Sequence, residues 1–252
     1  MLTFLRGFGR SSRRNKAAAA ATPGESSSSP ASGAVVGASA STTSIDTTAS
    51  RTSVGNQRPL FMCQPYVRTS LVKGSFQTIV TLPKYVDLGE WIALNLFEFF
   101  TYLNQFYGVL AEFVTPQTCP TMNAGPGVDY LWIDADKKAV RLPANQYIDY
   151  TLSWISQKFD DQTLFPTQQG VPFPAHFMGV TKNIYRQMFR IFAHIYHNHF
   201  DKIIHLSLEA HWNSFFAHFI SFGKTFDLAD PNDLVPLAQL IEAFEAQGKI
   251  TS

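Results

Sequence analysis

Arg186-Gln-Met-Phe-Arg190-Ile-Phe-Ala-His194-Ile-Tyr-His197-Asn-His199-Phe200-Asp201 is the stretch on which the fold turns. Ile184, Met188, Ile191 and Ile195 recur at helical spacing, so one face points into a core. Arg186 and Arg190 stand four apart on another face. His194 and His199 have four residues between them, inside the H-x₃₋₅-H spacing of zinc sites. In a continuous helix, residues five apart point about 140° away from each other. The two histidines can share a metal only if the helix breaks between them. Asn198 before Phe-Asp suits such a break, since Asn tolerates the left-handed C-terminal position and Asp201 can cap a following helix. The other reading is a His-rich helix lying in an aromatic core.

Outward from this helix, which the spacing predicts over 175–197, the chain reads as further helices. On the C-terminal side they cover 201–226 (Ile204, Leu208, Phe215, Phe219 and Phe222 inward) and, after Asp230-Pro-Asn-Asp, 232–246. On the N-terminal side, Asp160–Pro174 is a Pro/Gly-rich loop. It follows a helix over 145–159 with Tyr147, Ile148, Leu152 and Ile155 inward. Val128–Ile133 and Ala139–Leu142 flank Asp134-Ala-Asp-Lys-Lys and predict a β-hairpin. Val114–Gly127 is a loop. Asp87-Leu-Gly-Glu90 is a capping box that opens a helix to about Phe113. At 100° per residue, Ile92, Leu96, Phe99, Phe100, Leu103, Phe106, Tyr107 and Leu110 form its core arc. Glu90, Asn95, Glu98, Thr101, Asn104 and Gln105 form its polar arc, on which Trp91 and Leu94 also fall. Trp91 among carboxylates is either an interface anchor or covered by another element of the same domain. Phe76–Leu82 reads as extended chain, and Gln64–Leu71 as a short helix.

Charge is uneven along the 252 residues. Residues 1–58 hold seven Lys/Arg (Arg6, Arg10, Arg13, Arg14, Lys16, Arg51, Arg58) against Glu25 and Asp46; the remaining 13 basic residues face 17 acids. This basic segment, rich in Ser, Ala and Thr, is expected to be a disordered tail. The acidic body from residue 59 onward argues for a basic protein partner rather than nucleic acid. Two cysteines make no disulfide framework, and no apolar run has the length of a membrane span. A cytoplasmic or nucleocytoplasmic protein is expected.

Leu-Gly-Glu-Trp-Ile-Ala, Cys-Pro-Thr-Met-Asn-Ala-Gly-Pro, Asp-Tyr-Leu-Trp, Phe-Asp-Asp-Gln-Thr-Leu-Phe-Pro, Gly-Val-Pro-Phe-Pro and Phe-Arg-Ile-Phe-Ala-His-Ile-Tyr-His-Asn-His-Phe-Asp occur in this order from about residue 60 onward. Together they resemble the Mob/phocein family of kinase coactivators, most of all the fungal branch serving mitotic exit, cytokinesis and septation. The resemblance implies an all-α bundle of the Mob type with one small β-hairpin, over residues 59–252. It implies a non-catalytic adaptor that binds the basic N-terminal segment of an NDR/LATS-type Ser/Thr kinase through an acidic surface, here Asp87, Glu90, Trp91, Leu94 and Glu98. It also implies a basic pocket for a phosphopeptide of an upstream kinase or scaffold, here Arg186 and Arg190, with Gln187 where relatives carry a base. The family zinc site maps onto Cys119, His194 and His199, but its first cysteine position holds Val114. The Zn²⁺ site is then three-coordinate plus water, recruits His197, or is empty. Thr69 and Ser70 fall near an activating phosphosite of relatives. Spindle pole and division site are the implied locations.

Two other function classes compete. A zinc hydrolase could use Cys119, His194 and His199, but the chain has no H-E-x-x-H motif and no well-placed general base. A nucleic-acid or membrane-surface binder could use the basic tail, against which the acidic body weighs.

Overall fold

The computed structural model describes residues 58–250. The expected disordered tail lies outside them. The elements are helices α1 (Gln77–Val80), α2 (Leu88–Leu110), α3 (Ala144–Asp160), α4 (Phe177–Asn198), α5 (Phe200–His205), α6 (Glu209–Thr225), α7 (Pro231–Leu234) and α8 (Ala238–Ala246), with strands β1 (Trp132–Ile133) and β2 (Ala139–Val140) between α2 and α3. The strands pair antiparallel, Trp132 with Val140 and Ile133 with Ala139. The architecture is the expected helix bundle with one hairpin. No helix among the described residues is long and apolar enough to cross a membrane.

Helix α4 is the central element. It packs against α2, α3 and α5. From Ile191 to Tyr196 every residue is buried, His194 included. A helix that is apolar around most of its circumference must be covered on most sides, which explains why so much of the chain wraps it. The covering is largely aromatic: Phe192 lies 4.8 Å from Trp212 and 4.9 Å from Phe219, and Tyr185 stacks on Phe219 at 4.1 Å. The core arc assigned to α2 is buried at Ile92, Leu96, Phe99, Leu103, Tyr107 and Leu110, with Phe100 and Phe106 half-buried against it.

Several expectations need correction. Residues 77–80 are helical rather than extended: Ser75 accepts a hydrogen bond from Gln77 N at the turn that opens α1, and the chain returns to extended backbone at Thr81. The helix expected over 201–226 is two helices. Ser207 sits at φ 55°, and Leu208 N reaches back to Ile203 O, so the chain leaves α5 through a left-handed C-terminal closure. The helix expected over 232–246 is interrupted at Pro236, where a 3-10 turn over Val235–Leu237 separates α7 from α8. Gln64–Leu71 contains only a 3-10 turn at Tyr66–Arg68. Asn95, assigned to the polar arc of α2, is buried and its amide donates to Trp91 O at 2.8 Å.

Candidate functional site

Helix α2 begins as its sequence dictates. The Asp87 carboxylate accepts from Glu90 N at 3.1 Å, satisfying one of the donors left free at a helix start. Gly89 in the first turn is set by packing: a Cβ there would strike the ring of Phe173, which arrives from the Val-Pro-Phe-Pro loop. From this start, Asp87, Glu90, Leu94 and Glu98 are all exposed along one side of α2. Neither Glu90 nor Glu98 pairs with a cation among the described residues. Trp91 is half-buried: its indole Nε1 donates to Val80 O at 3.3 Å, and the ring packs against the core. Of the two readings of Trp91, the structure supports coverage by another element, namely α1. The same tie places α1 beside the acidic row. Sequence reasoning missed what this brings together: Ile79, Leu82, Tyr85 and Val86 are exposed immediately before α2, Tyr85 at 92 %. Tyr85 also sits at φ 69°, a conformation that disfavours a large side chain and here turns the ring outward. Alternation of apolar residues with Pro and Lys left no period by which to find this patch.

A second group lies on α4. Arg190 donates through Nη1 to the Tyr147 hydroxyl at 2.8 Å, and its guanidinium lies over the Tyr130 ring at 5.0 Å. The Tyr147 hydroxyl in turn donates to Gln187 Oε1 at 3.1 Å. Arg190 has no carboxylate at ion-pair distance among the described residues. Arg186 is exposed, with Nη2 on Asn183 Oδ1 at 2.8 Å and Nε 4.0 Å from Asp233 Oδ2. The two arginines are thus on one helix face as expected. The tyrosines that steady Arg190 were legible only as hairpin and core residues.

The third group holds the metal-ligand candidates. Cys119, His194 and His199 are buried, and their ligand atoms lie within 4.8 Å of one another. The required break is present: α4 ends at Asn198, and His199 at φ −135°, ψ 14° turns the chain into α5. Its cause is not a left-handed Asn or a cap from Asp201. Asn198 stays helical and donates through its amide to His194 O and Asn123 Oδ1. His194 Nδ1 lies 2.8 Å from Asn123 O, a group that only accepts, so Nδ1 carries the proton. His194 Nε2 is therefore a bare lone pair, fully buried and without a partner among the described residues. Burial pushes this histidine down to about 4. Cys119 Sγ meets His199 Nε2 at 3.3 Å, and burial pushes the thiol up, favouring the S–H form. His197 does not join them: its Nε2 donates to Pro236 O at 2.9 Å. Three donors, one of them the orphaned His194 nitrogen, fit part of a zinc site, but the closed four-donor set is not formed, because Val114 is apolar and buried.

Thr69 Oγ1 donates to Pro65 O, and Ser70 Oγ meets Ser214 Oγ at 2.9 Å; both residues are half-buried.

Comparison with known proteins gives the chain its descent. The Mob1/phocein family pattern matches residues 68–237. The chain is 64 % identical over 208 residues to the CBK1 kinase activator protein MOB2 of Candida albicans, covering 82 % of this chain and 66 % of that protein. It is 66 % identical over 195 residues to the CBK1 kinase activator protein MOB2 of Saccharomyces cerevisiae, 77 % of this chain and 68 % of that one. Over 191 residues it is 59 % identical to the maintenance of ploidy protein mob2 of Schizosaccharomyces pombe, 76 % and 78 % of the two chains. The match thus spans about two thirds of the length of the first two relatives. All three are fungal, in line with the branch that the motifs resemble. The chain belongs to the Mob1/phocein family.

Proposed function

We propose that the protein is a non-catalytic activator and scaffold for an NDR/LATS-type Ser/Thr kinase, whose basic N-terminal regulatory segment docks on the face of α2. The observation that carries this reading is the row of exposed carboxylates at Glu90 and Glu98, unpaired among the described residues, with Leu94 between them and the exposed apolar residues of 79–86 alongside. Acids without internal partners are free to meet a basic helix, and the neighbouring apolar patch supplies the area that charge pairs alone do not. Two of the relatives bear the name of a kinase activator, which points the same way. Arg186 and Arg190 would hold a phosphate on a peptide of an upstream kinase or scaffold. Arg190, already fixed by Tyr147 and Tyr130, loses little freedom on binding it.

The test is a pull-down of the full chain by N-terminal segments of NDR/LATS-type kinases, with kinase activity measured alongside. Capture together with stimulation is expected. A folded chain that neither captures nor stimulates any such kinase overturns the reading.

We assign Cys119, His194 and His199 a structural role. They are at most 5 % exposed, so a substrate would have to cross the core to reach them. A zinc ion held there would crosslink the 119 loop to the end of α4. With three protein donors, and with the Cys119–His199 hydrogen bond available in its place, that crosslink contributes modestly. Treatment with a chelator is expected to lower Tm by less than about 5 °C, the scale of one to two kcal/mol for a domain of this size. Loss of helical signal on chelation would show instead that the fold depends on metal.

A further inference from the structure

We propose that Asp233 acts as an internal competitor in the Arg186–Arg190 pocket, holding down its affinity so that only a strongly charged anion is retained. The proposal rests on reading those arginines as a phosphate pocket.

The geometry is asymmetric. Arg190 is held on two sides, by the Tyr147 hydroxyl and the Tyr130 ring, and among the described residues has no carboxylate at ion-pair distance. Arg186 is different. The chain brings Asp233 to 4.0 Å from its Nε, too far for a hydrogen bond and close enough for attraction. Asp233 is no incidental neighbour. The Asp230 carboxylate accepts from Asn232 N, Asp233 N bonds Asp230 O, and Pro231 fixes the first turn, so α7 presents Asp233 from a defined position. The Tyr130 hydroxyl ties the groups together. It is buried without a partner among the described residues, and the charges of Arg190 and Asp233 both act on it. One small region therefore holds two guanidiniums, one carboxylate, and a phenol with a free donor.

A guest anion feels the arginines and Asp233 together. Gln187 between them is uncharged, and Asp233 brings the sum of the pocket to a single positive charge. A phosphate dianion is repelled by Asp233 twice as strongly as a carboxylate. It is also attracted twice as strongly by the arginines, so its net attraction is twice that of a carboxylate. Removing the Asp233 charge should tighten both ligands, the dianion by about twice as much on a logarithmic scale.

The experiment titrates the full chain with three probes: an otherwise neutral phosphothreonine peptide, the same peptide with aspartate at that position, and inorganic phosphate. The proteins are the wild type, Asp233→Asn, Asp233→Glu, and Glu112→Gln as a control of equal net charge at an exposed carboxylate beyond α2. For Asp233→Asn the phosphopeptide should bind about tenfold tighter and the aspartate peptide about threefold tighter, the scale of one charge acting across several ångströms near a surface. Inorganic phosphate should follow the phosphopeptide if the phosphoryl group itself is read. Asp233→Glu should stay within about twofold of the wild type, as restoring the charge restores the competitor. Equal affinity for wild type and Asp233→Asn, or an equal gain in Glu112→Gln, removes Asp233 from this role and leaves the phosphate pocket standing. Failure of both wild type and Asp233→Asn to bind the phosphopeptide removes the pocket and the competitor together.

Discussion

Changing Glu90 and Glu98 together to lysine is expected to weaken binding of a basic kinase segment by about a hundredfold at physiological salt, while leaving Tm within a few degrees. Each exposed charge pair contributes about 0.5–1 kcal/mol, and a reversal replaces attraction by repulsion, so two reversals amount to about 2–3 kcal/mol. The choice of residues follows from the structure. Asp87 is excluded because its carboxylate caps α2, so its loss would confound stability with binding. Trp91 is excluded because its indole ties α2 to Val80 in α1. Glu90 and Glu98 carry neither duty: the capping bond uses the Glu90 backbone N–H, and neither carboxylate has a cation partner among the described residues. Most of the loss should appear in the association rate, and it should shrink as salt rises, since exposed charges are screened beyond about 8 Å at 0.15 M. Stopped-flow association at several ionic strengths reads both. A double variant that binds as the wild type does, at any salt, would place the kinase segment on another surface.

The apolar side of the same face can be separated from the charges. Leu82, Tyr85 and Leu94 are exposed and serve no visible purpose in the core. If the charges mainly steer, the apolar residues should govern dissociation. The two sets of variants would then differ in which rate constant they move.

Periodicity decided how far the fold was legible in the amino-acid sequence. Helices α2, α3 and α4 repeat their apolar residues at 3.6, and their cores follow position by position, as at Tyr147, Ile148, Leu152 and Ile155. The break after α4 was legible as a place but not as a mechanism. Asn198 ends the helix through side-chain bonds to Asn123, seventy-five residues earlier, and no local rule contains that partner. The division of α5 from α6 was hidden for a similar reason. Ser207 carries no signal of a left-handed turn, and the apolar period continues across it. The candidate sites divide in the same way. Arg186 and Arg190 could be found because four residues is one helical turn. Tyr130, Tyr147 and Asp233 could not, because three separate elements supply them. Trp91 fell between the two cases: its angle on the helix was right, and its cover came from a segment expected to be extended.

Replacing His218 with phenylalanine is expected to remove about 2 kcal/mol of acid destabilisation at pH 5, and to change stability by less than about 1 kcal/mol at pH 7.5. The His218 ring stacks on Phe76 at 5.5 Å and meets the edge of Phe99 at 4.9 Å, and its Nε2 is buried without a partner among the described residues. Burial pushes it down to about 4, from an ordinary value of 6.5. The unfolded chain therefore takes up this proton first. Stability is complete above pH 6.5 and is lost as pH falls toward 4. His194 is shifted in the same direction, so the slope of the wild type alone does not isolate His218; the difference between wild type and variant at each pH does. Phenylalanine keeps a ring between Phe76 and Phe99 and brings no nitrogen to protonate. Urea unfolding from pH 4.5 to 8 measures the difference directly, and a gap that stays constant across that range would exclude His218 as the source. The site matters beyond stability. Phe76 is the residue from which α1 starts, and α1 supplies both the carbonyl that holds Trp91 and the exposed Ile79. A proton on His218 is expected to weaken the Phe76 stack that joins α1 to α6, and with it the proposed kinase face, as pH falls toward 4.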